Sequence, residues 1–85
     1  MYRAKIYVTL KESVLDPQGK TIKHALESLE FHGIEDVRLG KYFVITMNMD
    51  SEKKARDHIE NMCRKLLVNP VIETFSFDLE KMKDK

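Results

Sequence analysis

The side chains best suited to chemistry in this 85-residue sequence are three histidines, His24, His32 and His58, and a single cysteine, Cys63. The histidines fall on different expected elements, and none has a carboxylate or thiol partner at metal-ligand spacing. His58 and Cys63 are five residues apart, off a common helical face. Cys63 lies on an apolar stripe, where a thiol acts as a small hydrophobe rather than a nucleophile. Asp36, Asp50 and Asp57 lack the neighbours that would tune a general acid or base. Gly19 could let backbone amides approach an anion, but one glycine is not a phosphate loop, and a tight helix start explains it. No catalytic, cofactor-binding or metal-binding residue is therefore assigned to this chain.

The elements that would position these residues follow from periodicity. Ile6, Val8 and Leu10 alternate with polar neighbours, as in a half-buried strand. Asp16 suits a helix N-cap and Pro17 the first helical position. Ile22, Ala25, Leu26 and Leu29 then define one apolar helical face, with Gly33 as the expected stop. Val37 and Leu39 predict a short strand turned at Gly40-Lys41 into a strand over 42–49. The alternation of Val37, Leu39, Phe43, Ile45 and Met47 instead suits one long bent strand, and a bulge at Gly40 would reconcile the two. The turn is the favoured reading.

Asp50 or Ser51 can cap a second helix whose buried face would be Ala55, Ile59, Met62, Cys63 and Leu66. Glu60 and Arg64 form an i,i+4 pair on its exposed side. Asn69-Pro70 ends it. Residues 71–79 predict the last strand, with Phe75, Phe77 and Leu79 inward, and the charged tail over 80–85 is expected to fray. The order β-α-β-β-α-β predicts a single α+β domain over 1–85. Its architecture would be a ferredoxin-like two-layer sandwich, an antiparallel sheet with both helices on one face.

Lys and Arg number 15 against 14 Asp and Glu, so the net charge is +1 and no nucleic-acid footprint is visible. No apolar run approaches the ~20 residues that span a bilayer, and the unpaired cysteine gives secretion no support. A cytoplasmic protein is the expectation. A chain this short has a thin core, which favours association. With the helices on one side, Tyr7, Tyr42, Val44 and Ile72 would stand on the bare side of the sheet, a candidate surface for self-association or a partner. An RNA-binding module is the alternative: Ile6-Tyr7-Val8-Thr9-Leu10 resembles the first-strand motif of RNA-recognition domains, with Tyr7 and Tyr42 as stacking rings. The strand from Gly40 lacks the outward aromatic pair of that motif. A small-molecule regulatory module of the same fold is a further alternative.

Four runs carry a closer resemblance: Val14-Leu15-Asp16-Pro17-Gln18-Gly19-Lys20 with Lys23-His24-Ala25-Leu26, Val37-Arg38-Leu39-Gly40-Lys41-Tyr42, and Leu66-Leu67-Val68-Asn69-Pro70-Val71-Ile72-Glu73. In combination they resemble the PurS family, from about Tyr2 to Glu80. The departures, Ser13 where glycine is common and Val68 where alanine is common, fall at loop or helix-end positions. Asp16, Pro17, Gln18, Gly19, Asn69 and Pro70 are the family-motif residues. The resemblance implies a non-catalytic subunit of phosphoribosylformylglycinamidine synthase in purine biosynthesis. Such a subunit forms homodimers or higher oligomers and joins a glutaminase, PurQ, to an ATP-dependent synthetase, the small PurL. It implies no cofactor on this chain; ATP, magnesium and glutamine are used by the whole complex, and neither nucleic acid nor membrane is a partner.

Overall fold

The computed structural model describes residues 1–83. Strand β1 (Tyr2–Leu10), helix α1 (Pro17–Ser28), strand β2 (Gly40–Met47), helix α2 (Glu52–Met62) and strand β3 (Glu73–Lys81) follow in that order. The strands form an antiparallel sheet ordered β2-β1-β3. The strongly alternating β1 takes the centre, where both of its edges are paired and one of its faces is covered. Its inward residues Tyr2, Ala4, Ile6 and Val8 join Met47 of β2, Ala55 and Ile59 of α2, and Cys63 and Val68 in the buried core. Phe43, Ile45, Phe75, Phe77 and Leu79 pack around it half-buried, and the Arg56 guanidinium lies 5.5 Å from the Phe77 ring centre. This is the expected two-layer, ferredoxin-like α+β arrangement, with α2 crossing the inner face of the sheet.

The segment 37–39 is not a strand, and no hairpin forms at Gly40-Lys41. Its amides are claimed elsewhere: Val37 N–H donates to Asp36 Oδ1 at 3.0 Å and Leu39 N–H to Asp16 Oδ2 at 2.7 Å. A backbone whose donors serve carboxylates has none left for a ladder. Val37 and Leu39 are half-buried and keep the burial phase of Phe43, Ile45 and Met47, and the chain enters β2 at Gly40. Gly40 permits this, because a Cβ there would stand 2.6 Å from the Val8 carbonyl oxygen.

Other boundaries also differ from the pattern. Helix α1 ends at Ser28 rather than running to Gly33. The Phe31 amide reaches back to the Leu26 carbonyl and the Glu30 amide to that of Glu27, at 3.1 and 3.0 Å. This is a Schellman-type stop with Glu30 in the left-handed position at φ 69°. Ser51, not Asp50, caps α2 through the Lys54 amide, while Asp50 pairs with the Lys54 ammonium. Past Met62 the helix widens into a π-turn over Cys63–Leu67. The wider turn rotates Leu66 outward, to 82% exposure, and brings Val68 into the core. Strand β3 starts at Glu73 rather than 71 and continues through Glu80 and Lys81, paired with Arg3 and Tyr2. That ladder orders part of the tail expected to fray; residues 84–85 lie outside the described residues.

The largest departure concerns α1. Only Gly19 of this helix is buried, so the apolar face of Ile22, Ala25, Leu26 and Leu29 is not sunk in the core. The described chain accordingly has a radius of gyration of 16.8 Å and extents of 51 × 30 × 15 Å. A compact chain of this length would have a radius near ~12 Å. The helix projects from one end of the sheet.

Candidate functional site

Two features stand out, a polar joint where α1 meets the sheet and the bare sheet face. The joint is built on Asp16. As N-cap of α1, its Oδ1 accepts from the Gly19 amide at 2.8 Å while Oδ2 accepts from Leu39. One carboxylate thus ties the start of α1 to the segment feeding β2. Those amides, Leu39 first and then Gly19, hold its pKa below the ordinary 3.8, and the Arg38 guanidinium adds to the effect. Pro17 takes the first helical position, where no amide hydrogen is needed. Gly19 is the close contact of the joint: a Cβ there would overlap the Val37 carbonyl oxygen.

Asn69 and Pro70 lie on the turn into β3. The Asn69 side-chain oxygen accepts from Val71 N–H at 3.1 Å, and its own amide donates to Glu73 Oε1 at 2.7 Å. That amide, followed by Lys41, lowers the Glu73 pKa. Glu73 in turn pairs with Lys41 of β2 at 3.3 Å, bridging the two outer strands. Arg38 Nη2 donates to the Lys11 carbonyl at 2.9 Å, and Lys11 N–H to that of Ile72 at 2.8 Å. A cleft of about 190 Å³ lies between these groups, with Asp16, Gln18, Lys41 and Glu73 on its walls. The motif runs, scattered along the sequence, therefore meet at one end of the sheet. Lys41 and Glu73 stand inside those runs, but no single-position signal gave them a role; the i,i+4 spacing of Asn69 and Glu73 was the available clue.

On the bare face, Tyr7 and Tyr42 are direct cross-strand partners whose rings stack with centres 5.2 Å apart. Val44 lies diagonally beside Tyr7, opposite Lys5. Tyr7, Tyr42 and Val44 are 41%, 55% and 52% exposed, so no segment of the described chain roofs them. Ile72, 38% exposed, stands in the turn before β3, just beyond the ladder. The Tyr7 hydroxyl has its pKa raised, by desolvation first and then by Asp78.

Among the described residues, no buried side-chain polar atom lacks a partner, and no group of three or more His, Cys, Asp or Glu could hold a metal ion. Cys63 is buried, and burial followed by Glu60 raises its thiol pKa, away from nucleophilic use. His58 Nδ1 lies 2.9 Å from the Lys54 carbonyl on its own helix. Among the described residues, no helix is long and apolar enough to cross a membrane.

With this geometry established, comparisons place the chain. The family model PurS, described as phosphoribosylformylglycinamidine (FGAM) synthase, matches residues 3–81. The phosphoribosylformylglycinamidine synthase subunit PurS of Bacillus subtilis is 47% identical over 85 residues, covering 96% of each chain. The solved PurS of Methanocaldococcus jannaschii, one of the subunits of formylglycinamide ribonucleotide amidotransferase, is 40% identical with a TM-score of 0.88. That match covers 98% of this chain and all of the other. A chain of the PurLQS structure from Thermotoga maritima is 29% identical with a TM-score of 0.85, covering 93% of this chain and 96% of its own. These near full-length matches show that the chain belongs to the PurS family of phosphoribosylformylglycinamidine synthase subunits.

Proposed function

We propose that this chain, acting as a single domain, is the non-catalytic bridging subunit of a cytoplasmic phosphoribosylformylglycinamidine synthase in purine biosynthesis. It holds a glutaminase subunit, PurQ, and an ATP-dependent synthetase subunit, PurL, in one assembly. The observation that carries this reading is the family match across residues 3–81, in a chain where Asp16 and Asn69 of the motif runs anchor the ends of α1 and β3. In the reaction, glutamine yields ammonia at one active site. At the other, the amide oxygen of formylglycinamide ribonucleotide is phosphorylated from ATP, with magnesium, and ammonia displaces the phosphate. Ammonia lost to water is largely protonated and no longer a nucleophile, so register between the two sites governs yield. A rigid spacer supplies register without chemistry of its own. On this reading ATP, magnesium and glutamine are bound by the other subunits.

The bare face of Tyr7, Tyr42 and Val44, with Ile72 at its margin, is the proposed contact surface for a second copy or for one of the two enzyme subunits. Stacked, exposed rings on a rigid sheet are low-entropy anchors for a protein interface. The RNA-binding and small-molecule alternatives are not favoured: the family is that of a synthase subunit, and the two tyrosines stack on each other. Reconstitution with the glutaminase and synthetase subunits tests the reading. Glutamine-dependent turnover is expected only when all three chains are present, and to weaken with a Tyr7→Ser, Tyr42→Ser double variant. Full turnover without this chain refutes the bridging role; an unimpaired double variant refutes the surface.

A further inference from the structure

The cleft at the joint keeps hydrogen-bonding capacity that the joint does not use. Val8, Leu10 and Leu39 give it an apolar lining, and Asp16, Gln18, Lys41 and Glu73 supply the polar groups. Its carboxylates are already engaged. Asp16, buried, accepts from the Gly19 and Leu39 amides, and Glu73, with its side chain 11% exposed, accepts from the Asn69 amide and pairs with Lys41. The donors are not. The Lys41 side chain is 58% exposed, and its ammonium has three N–H bonds to give where Glu73 takes one. The exposed Gln18 side-chain amide has no partner among the described residues. Lys11 and Arg38, joined through the Lys11 carbonyl, add two exposed positive charges at this end of the sheet. The open valences are chiefly donors on a cation-rich rim, so a group that fills the cleft must bring acceptor oxygens.

Size narrows the choice further. The cleft holds about 190 Å³. Pockets that enclose a whole small molecule start near ~300 Å³, so this one takes a single side-chain-sized group. We propose that it is a socket for one acidic side chain, Asp or Glu, of a partner enzyme subunit. The methylenes of that side chain lie on Val8 and Leu10, and its carboxylate accepts from the Lys41 ammonium and the Gln18 amide. A partly exposed ion pair alone is too weak to hold a free carboxylate. A side chain presented by a protein already docked elsewhere pays no separate cost of association, which favours a partner as its source. The identity of the partner as the glutaminase or the synthetase subunit rests on the bridging reading above. The socket is separate from the Tyr7–Tyr42 face.

The test titrates the full chain against the purified glutaminase and synthetase subunits in turn. Lys41→Met, which keeps the length of the side chain and removes its charge, should weaken binding to one of the two by ~10-fold or more, and Lys41→Arg should restore it. Gln18→Ala breaks no side-chain contact of this chain, so it reads the socket without disturbing the joint; it should weaken binding to the same subunit by about 2- to 10-fold. Acetate and inorganic phosphate serve as free-anion probes. They should move the Gln18 and Lys41 amide signals in nuclear magnetic resonance spectra without saturating at ~1 mM. Saturation at or below that concentration assigns the cleft to a free anion and overturns the partner side chain. Lys41→Met and Gln18→Ala chains that bind both subunits at native strength overturn the socket alone. A native chain that binds neither subunit overturns the bridging reading and the socket with it.

Discussion

Replacing Gly19 by alanine separates the joint from ordinary helix energetics, because the two accounts predict opposite signs. Gly19 is the third residue of α1, and in a helix alanine is normally better than glycine by up to ~1 kcal/mol. Here a Cβ would overlap the Val37 carbonyl oxygen, and it would stand 2.9 Å from the Val37 carbonyl carbon and 3.1 Å from Asp16 Cγ. The obstruction is backbone, so no rotamer change relieves it; the start of α1 must move off the segment that feeds β2. Overpacking of this kind costs about 1–3 kcal/mol, and the joint must also loosen its hydrogen bonds. A net destabilisation of about 2 kcal/mol follows. In a domain of this size that lowers Tm by roughly 8–16 °C, measured at fixed protein concentration so that association does not confound the comparison. Ser28→Ala, on the exposed end of the same helix, is the control and should stay within ~0.5 kcal/mol. A Gly19→Ala protein as stable as the native chain, or more so, refutes the close-contact reasoning.

Two further substitutions probe the ends of this helix. Glu30 sits at φ 69°, where a side chain is strained and glycine is not, so Glu30→Gly should stabilise by about 1 kcal/mol in denaturant titrations; a loss contradicts the Schellman stop. Asp16→Asn should flatten the acid limb of stability. The folded-state pKa of Asp16 lies below its ordinary 3.8, so the stabilisation is complete above that value and disappears as pH falls through the lower folded one. Glu73, lowered from 4.5, keeps some acid dependence in the variant. Denaturation midpoints from pH 7 to 2 should therefore converge for the two proteins at the acid end; parallel curves refute the role given to Asp16.

The parts of the fold set by local chemistry were readable from the sequence. Asp16 and Pro17 start a helix wherever they precede an apolar periodic run, and Asn69-Pro70 stops one. What escaped depended on distant partners. Val37–Leu39 has strand composition, but Asp16, more than twenty positions earlier, takes the Leu39 amide. Leu66 fits an α-helical stripe until the π-turn rotates it outward. The periodicity of α1 gave an apolar face correctly without saying what would cover it. Of the candidate surface, the exposure of Tyr7, Tyr42 and Val44 was legible from strand alternation, whereas Ile72 stands in the turn before β3. That the motif runs converge on one joint through Lys41 and Glu73 was not legible, because it depends on strand register.

The claim at the centre of this account is that the chain transmits position and performs no chemistry. It is tested most directly by comparing nitrogen sources in the reconstituted synthase, with and without this subunit. Supplied with ammonium at saturating concentration, the synthetase should form product at the same rate either way, whereas with glutamine product should appear only when the chain is present. An ammonium-driven rate that also collapses without the chain would mean that it contributes to the chemical step, and would contradict the account.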